Sequence, residues 1–127
     1  MKRLFLAEDD SDDQEIFKAI MEERGDDIDL TVVDNGERLI QRIESVKDDQ
    51  LPDLILLDQN MPRMNGYETI QVLKSKERYK DIPMVIYSTY RDSKFLDKCK
   101  SENIPFHQKP DTYNGLRKLV DDIVRLF

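Results

Sequence analysis

Three apolar runs of this chain stop on residues that carry chemistry. Leu4-Phe5-Leu6-Ala7 runs into Glu8-Asp9-Asp10, Leu54-Ile55-Leu56-Leu57 into Asp58, and Pro83-Met84-Val85-Ile86-Tyr87 into Ser88. A fourth, weaker run at Ile104-Pro105-Phe106 leads to Lys109. Carboxylates brought within about 4–6 Å of one another repel and raise each other's pKa unless something positive sits among them. A hard dication with oxygen ligands answers that repulsion, and an open site of few carboxylates with retained waters suits Mg²⁺. Ser88 offers a hydroxyl, and Lys109 a flexible point charge suited to a phosphate oxygen.

Whether these groups meet depends on the elements that carry them. Lys2 to Ala7 reads as a buried strand that ends abruptly in acid. Ser11 or Asp12 is placed to cap the next segment, where Ile16, Phe17, Ile20 and Met21 fall at helical spacing and Gly25 supplies a stop. Leu30-Thr31-Val32-Val33 is a β-branched run closed by the Asp34-Asn35-Gly36 turn signal, and Leu39, Ile40 and Ile43 mark a second helix. The Leu54–Leu57 run lacks alternation, as a strand buried on both faces does. Tyr67, Ile70 and Leu73 trace a third helix after Asn65-Gly66. Phe95, Leu96 and Cys99 mark a fourth, and the stripe from Leu116 through Leu119, Val120 and Ile123 to Phe127 a fifth.

Strands alternating with helices predict an α/β chain with a parallel sheet. Right-handed crossovers leave few arrangements, and the doubly wound, flavodoxin-like order 2-1-3-4-5 is the usual one for five strands. Ligands of such sheets bind beyond the carboxyl ends of the strands, where strand order reverses. That crevice lies between strands 1 and 3, where Glu8-Asp9 and Asp58 end their runs. Ser88 closes the neighbouring strand 4 and Lys109 strand 5. Taken singly, these residues have plainer explanations: a strand-end Ser is ordinary turn chemistry and a surface Lys is usually solvated. Asp10, Ser11, Asp12 and Asp13 are read as helix-capping and loop-wetting residues, whereas placement at the switch point favours a site for Glu8, Asp9 and Asp58.

The pair Glu8-Asp9, the segment Asp58-Gln59-Asn60-Met61-Pro62-Arg63-Met64-Asn65-Gly66, then Ser88-Thr89 and Lys109-Pro110 together resemble the receiver domain of bacterial two-component response regulators. The resemblance runs from Leu4 to Phe127. It implies that Asp58 is the phospho-acceptor and that Glu8, Asp9, Asp58 and the backbone carbonyl of Asn60 hold Mg²⁺. Ser88 would be the hydroxyl that turns toward the phosphoryl group, with Lys109 as its cationic partner. Phe106 would be the aromatic that moves between buried and exposed positions. Asn60 and Thr89 would modulate the chemistry, and Pro62 and Gly66 would shape the loop after the acceptor. The resemblance also implies a cis Lys109–Pro110 bond.

Some positions depart from the family pattern. Ala7 precedes an acidic pair that is Glu-Asp where Asp-Asp is commoner. Glu102-Asn103-Ile104-Pro105 stands where Gly-Ala is usual, so a different turn is expected there. Thr89 brings bulk that would hinder an attacking water, and Phe106 lacks the phenol of Tyr in some relatives. The charged approach Glu77-Arg78-Tyr79-Lys80-Asp81-Ile82-Pro83 is similar to stand-alone receivers paired with bacterial phytochrome-type kinases.

Composition sets the outer limits. With 127 residues one domain, 1–127, is the natural reading, large enough to bury a core without staples. The 20 Lys+Arg against 27 Asp+Glu give a net charge of −7, which counts against nucleic-acid binding through bulk charge. A lone Cys99 excludes an internal disulfide and is read as a small core residue. No apolar stretch approaches a membrane span or a signal peptide, so a cytoplasmic chain is expected.

A P-loop nucleotidase lacks its G-x-x-x-x-G-K-[ST] motif here, and an EF-hand its glycine. A phosphoaspartate hydrolase would need room for a covering cap. A receiver that only binds, without phosphorylation, is the remaining alternative. His107 has no second ligand at metal spacing and is read as structural or surface, not as a phosphoryl carrier. Tyr87, Tyr90 and Tyr113, near the output face, are either partner contacts or ordinary half-buried strand-end packing. No basic domain follows the last helix, so output is expected through the receiver's own surface, the strand 4–helix 4–strand 5–helix 5 face. The expected partners are a sensor histidine kinase or phosphotransfer protein and a downstream protein target; a homodimer is left open.

Overall fold

The computed structural model describes residues 1–89 and 92–127. Five strands, β1 (Lys2–Ala7), β2 (Ile28–Val33), β3 (Leu54–Asp58), β4 (Met84–Ser88) and β5 (Phe106–Gln108), form one sheet of order β2-β1-β3-β4-β5. Every pairing is parallel, with Ala7 opposite Leu57, Asp58 opposite Tyr87 and Ser88 opposite Gln108. Among the described residues, four α-helices lie between consecutive strands, α1 (Ser11–Arg24), α2 (Gly36–Ser45), α3 (Gly66–Lys74) and α4 (Ser93–Ser101), and α5 (Tyr113–Val124) follows β5. This is the doubly wound arrangement that the alternation of runs predicts.

Because strand side chains alternate, each continuous apolar run feeds two cores. Phe5, Ala7, Ile55, Leu57 and Ile86 join the α2–α3–α4 side with Leu39, Ile43, Ile70 and Cys99. Leu4, Leu6, Leu54, Leu56, Val85 and Tyr87 join the α1–α5 side with Phe17, Ile20, Leu119 and Ile123. That double burial is why β3 shows no polar alternation. No described helix is long and apolar enough to cross a membrane.

Local chemistry adjusts several boundaries. The α1 cap is Asp10, not Ser11 or Asp12: its carboxylate accepts from the Asp12 and Asp13 amides at 2.9 and 3.1 Å. Gly25 stops α1 in a left-handed conformation (φ 67°) that glycine takes without a Cβ penalty. β5 lies later than Ile104-Pro105-Phe106. The Ile104 amide is spent on the Cys99 carbonyl at the end of α4, and Pro105 has no N–H, giving only its carbonyl to Ile86. In the expected altered turn, Asn103 adopts φ 58°, a left-handed conformation asparagine tolerates. Cys99 is buried in the core, as its type predicts.

Candidate functional site

Strand parity decides which groups share the crevice. Glu8 follows Leu4 and Leu6, Asp58 follows Leu54 and Leu56, and Tyr87 follows Val85, so all three side chains belong to the α1–α5 side of the sheet. Glu8 is fully buried and Asp58 nearly so, while Asp9 is exposed at the crevice mouth. One oxygen from each of Glu8, Asp9 and Asp58 lies within 4.8 Å of the others.

Lys109 is the cation of this cluster. Its backbone amide donates to the Ser88 carbonyl at 2.8 Å, which places the residue beside β4. Its ammonium lies 2.6 Å from Glu8 Oε1, 2.7 Å from Asp13 Oδ2 and 3.4 Å from Asp58 Oδ2. No cis peptide bond occurs among the described residues, so the implied cis Lys109–Pro110 bond is not found. A trans bond, the form ordinarily preferred, already brings the ammonium into the crevice.

The loop after Asp58 is built to return close to the strand end. Gly66 opens α3 where a Cβ would stand 2.7 Å from the Asp58 carbonyl oxygen, so only glycine fits without displacement. Asn65 caps the helix in a reciprocal capping box with Glu68. Gln59 ties the loop together, its side-chain oxygen accepting from the Tyr67 amide at 2.8 Å. The Asn60 amide donates to Asp58 Oδ1 at 3.2 Å and its side chain donates to Ser88 Oγ at 3.2 Å. Ser88 is buried at the end of β4, and Thr89 beside it is exposed.

The electrostatics are those of crowded carboxylates sharing one lysine. Burial, then the charge of Glu8, pushes Asp58 up to about 7, against the opposing pull of Lys109. Asp9 is raised for the same two reasons in the same order. Burial alone would lower Lys109, but its hydrogen bonds to Asp13 and Glu8 and the Asp58 charge carry it upward. Among the described residues one cation, Lys109, faces four carboxylates, Glu8, Asp9, Asp13 and Asp58, and oxygen donors in that excess fit a divalent metal.

Two neighbours of the crevice escape the sequence reading. Asp13, taken there as a loop-wetting acid, reaches Lys109 from the first turn of α1; its place one turn into a helix that starts at the carboxyl end of β1 is the signal. Tyr87 is neither a partner contact nor half-buried packing: it is 1% exposed, and its hydroxyl donates to Glu8 Oε1 at 2.5 Å. A phenol within a strand buried on both faces needs a hydrogen-bond partner, which was the clue available. Tyr113 lies exposed against Glu23, and Tyr90 falls outside the described residues. His107 is half-buried on β5. Phe106 is half-buried on the opposite side of the sheet, edge-on to Phe95 with centroids 6.2 Å apart.

Residues 4–120 match the family described as response regulator receiver domain. The rice (Oryza sativa subsp. japonica) two-component response regulator ORR5 is 31% identical over 122 residues, 94% of this chain and 87% of its own length. Among solved structures, the phosphorylated cyanobacterial phytochrome response regulator RcpA superposes with a TM-score of 0.85 at 25% identity, over 96% of this chain and 90% of its own. The Mn²⁺-bound form of response regulator Rcp1 shares the fold, with a TM-score of 0.84 at 23% identity over 97% and 91% of the two chains.

Proposed function

Because this chain belongs to the response regulator receiver domains, we propose that it acts as a phosphoryl-accepting receiver, taking a phosphoryl group on Asp58 from a histidine kinase or phosphotransfer protein. The observation that carries this reading is the convergence of Glu8, Asp9 and Asp58 within 4.8 Å beside Lys109. Mg²⁺ would be held by Glu8, Asp9, Asp58 and the Asn60 carbonyl, and when bound it supplies neutralising charge to the phosphoryl oxygens. The Mn²⁺ in the Rcp1 structure supports a divalent ion in this fold.

The chain's own groups divide the work. An Asp58 oxygen attacks phosphorus while the bond from phosphorus to the donor breaks; the donor leaves with that electron pair, and a mixed anhydride remains on Asp58. Such transfers pass through a loose transition state, so positioning and charge dominate the catalysis. Lys109 is close enough to exchange a carboxylate for a phosphoryl oxygen. Ser88, next to Asn60, supplies the hydroxyl that turns toward the new group, and exposed Thr89 limits the approach of water. Movement of Ser88 opens space for Phe106, and the β4–α4–β5–α5 face then presents an altered surface to a downstream target. The likeness to RcpA favours a phytochrome-type kinase as donor.

The test is intact-mass measurement after incubation with acetyl phosphate. With Mg²⁺ the chain should gain one phosphoryl group, and with a chelator none. Equal phosphorylation under both conditions would remove the metal from the account.

A further inference from the structure

Glu8 is a fully buried carboxylate whose hydrogen bonds are shared between the crevice and the core. Its Oε1 accepts from the Tyr87 hydroxyl at 2.5 Å and from the Lys109 ammonium at 2.6 Å, while Oε2 accepts from the Asp10 amide at 3.1 Å. Tyr87 belongs to the α1–α5 core and is 1% exposed, so its ring is fixed by packing. The Lys109 ammonium also lies 5.1 Å from the centre of that ring, within cation–π range. One side chain therefore touches both the carboxylate and the cation of the crevice.

A glutamate has one more side-chain torsion than an aspartate, and that freedom must be removed if its carboxylate is to stand ready for a metal. From these contacts we infer that Tyr87 is a positioning residue: its hydroxyl locks the Glu8 carboxylate, and with it Lys109, in the arrangement that binds the divalent ion. The core thereby sets metal affinity at a site that Tyr87 does not itself enter. Hydrogen-bond partners of ligating carboxylates act this way generally, and their loss costs roughly 10–100-fold in metal affinity. The inference rests on the proposed metal site.

Calorimetric titration of the metal-free chain with MgCl₂ tests it, using the unsubstituted protein, Tyr87→Phe, Glu8→Ala and the double variant. Tyr87→Phe keeps the ring and removes only the hydroxyl. It should weaken Mg²⁺ binding by about tenfold, whereas the double variant should bind no more weakly than Glu8→Ala. An unchanged Kd in Tyr87→Phe overturns the inference while leaving the metal site standing. So does a tenfold loss repeated on top of Glu8→Ala, since Tyr87 would then not act through Glu8. Absence of binding by the unsubstituted chain overturns both the inference and the site beneath it. A reading independent of any substitution is the ¹³Cζ resonance of Tyr87, which should move on Mg²⁺ addition; a resonance that stays still also overturns the inference.

Discussion

The two sides of the sheet handle their polar and aromatic groups in opposite ways. On the α1–α5 side, Glu8, Asp58 and Lys109 are packed at the top of an apolar core, where carboxylates outnumber positive charges among the described residues. On the α3–α4 side, Tyr67, Phe95 and Phe106 meet edge to face, both pairs at 6.2 Å, and all three are half-buried. Tyr67 donates to Glu102 at 2.5 Å and carries the Lys98 ammonium 4.1 Å over its ring, which ties α3 to the end of α4. The first region is crowded with buried carboxylates and opens only where Asp9 is exposed; the second is half-buried and held mainly by aromatic contacts. On the proposed function, a charge added at Asp58 should act first on the groups around it, and the half-buried aromatic side should respond second. Ser88, on the pleat face of Met84 and Ile86, stands at the junction.

The contrast is broken most severely by removing the crevice's lysine. Lys109→Met should destabilise the metal-free chain at pH 8 by about 3–5 kcal/mol, the cost of stripping a buried carboxylate of its partner. Urea denaturation should show the loss shrinking at pH 5, where Asp58 is protonated. An equal loss at both values would mean that Lys109 acts by packing.

Asp58→Asn has the opposite sign. The Asp58 carboxyl holds its proton up to about pH 7 in the folded chain and only to its ordinary 3.8 when unfolded. Between those values the folded state binds more protons, so metal-free stability falls as pH rises. Asparagine has no such titration. The variant should be more stable than the unsubstituted chain at pH 8, by on the order of 2–4 kcal/mol, with matched melting curves at pH 4 and pH 8 as the check. Mg²⁺ should close that gap by stabilising only the aspartate form.

Substitutions on the aromatic side should be milder and leave the chemistry alone. Phe106→Ala should cost about 1–2 kcal/mol, below the usual loss for a fully buried Phe. It should take up phosphoryl groups normally, yet lose the phosphorylation-dependent amide shifts of β4 to α5. A full wild-type shift pattern would reduce Phe106 to packing. Smallest of all, Glu102→Gln should return the Tyr67 phenol from about 12 toward its ordinary 10, an effect ultraviolet titration can read. The hydrogen bond to the Glu102 carboxylate is the main cause of that upward displacement, so a phenol that stays near 12 would show another cause.

What was legible in the sequence follows the same division. Runs such as Leu54–Leu57 announce double burial, and parallel topology then brings Glu8, Asp9, Asp58, Ser88 and Lys109 to one edge. Asp13 and Tyr87 were missed because their roles depend on which way a helix turn and a strand pleat face, and composition does not carry that. The shift of β5 past Pro105 was hidden for a related reason: apolar residues promised a strand, but the backbone donor of Ile104 had been taken by α4. Asp10 displaced Ser11 and Asp12 as the cap because all are competent side chains and only the chain path chooses among them.

The most direct measurement is localisation of the phosphoryl group. The chain is treated with acetyl phosphate and Mg²⁺, digested under acid conditions that preserve acyl phosphates, and its peptides are fragmented by mass spectrometry. The added phosphoryl mass should lie on Asp58 alone and be absent in Asp58→Asn. A phosphoryl group found instead on Asp9, Ser88 or His107, or retained in Asp58→Asn, would contradict the assignment of the acceptor.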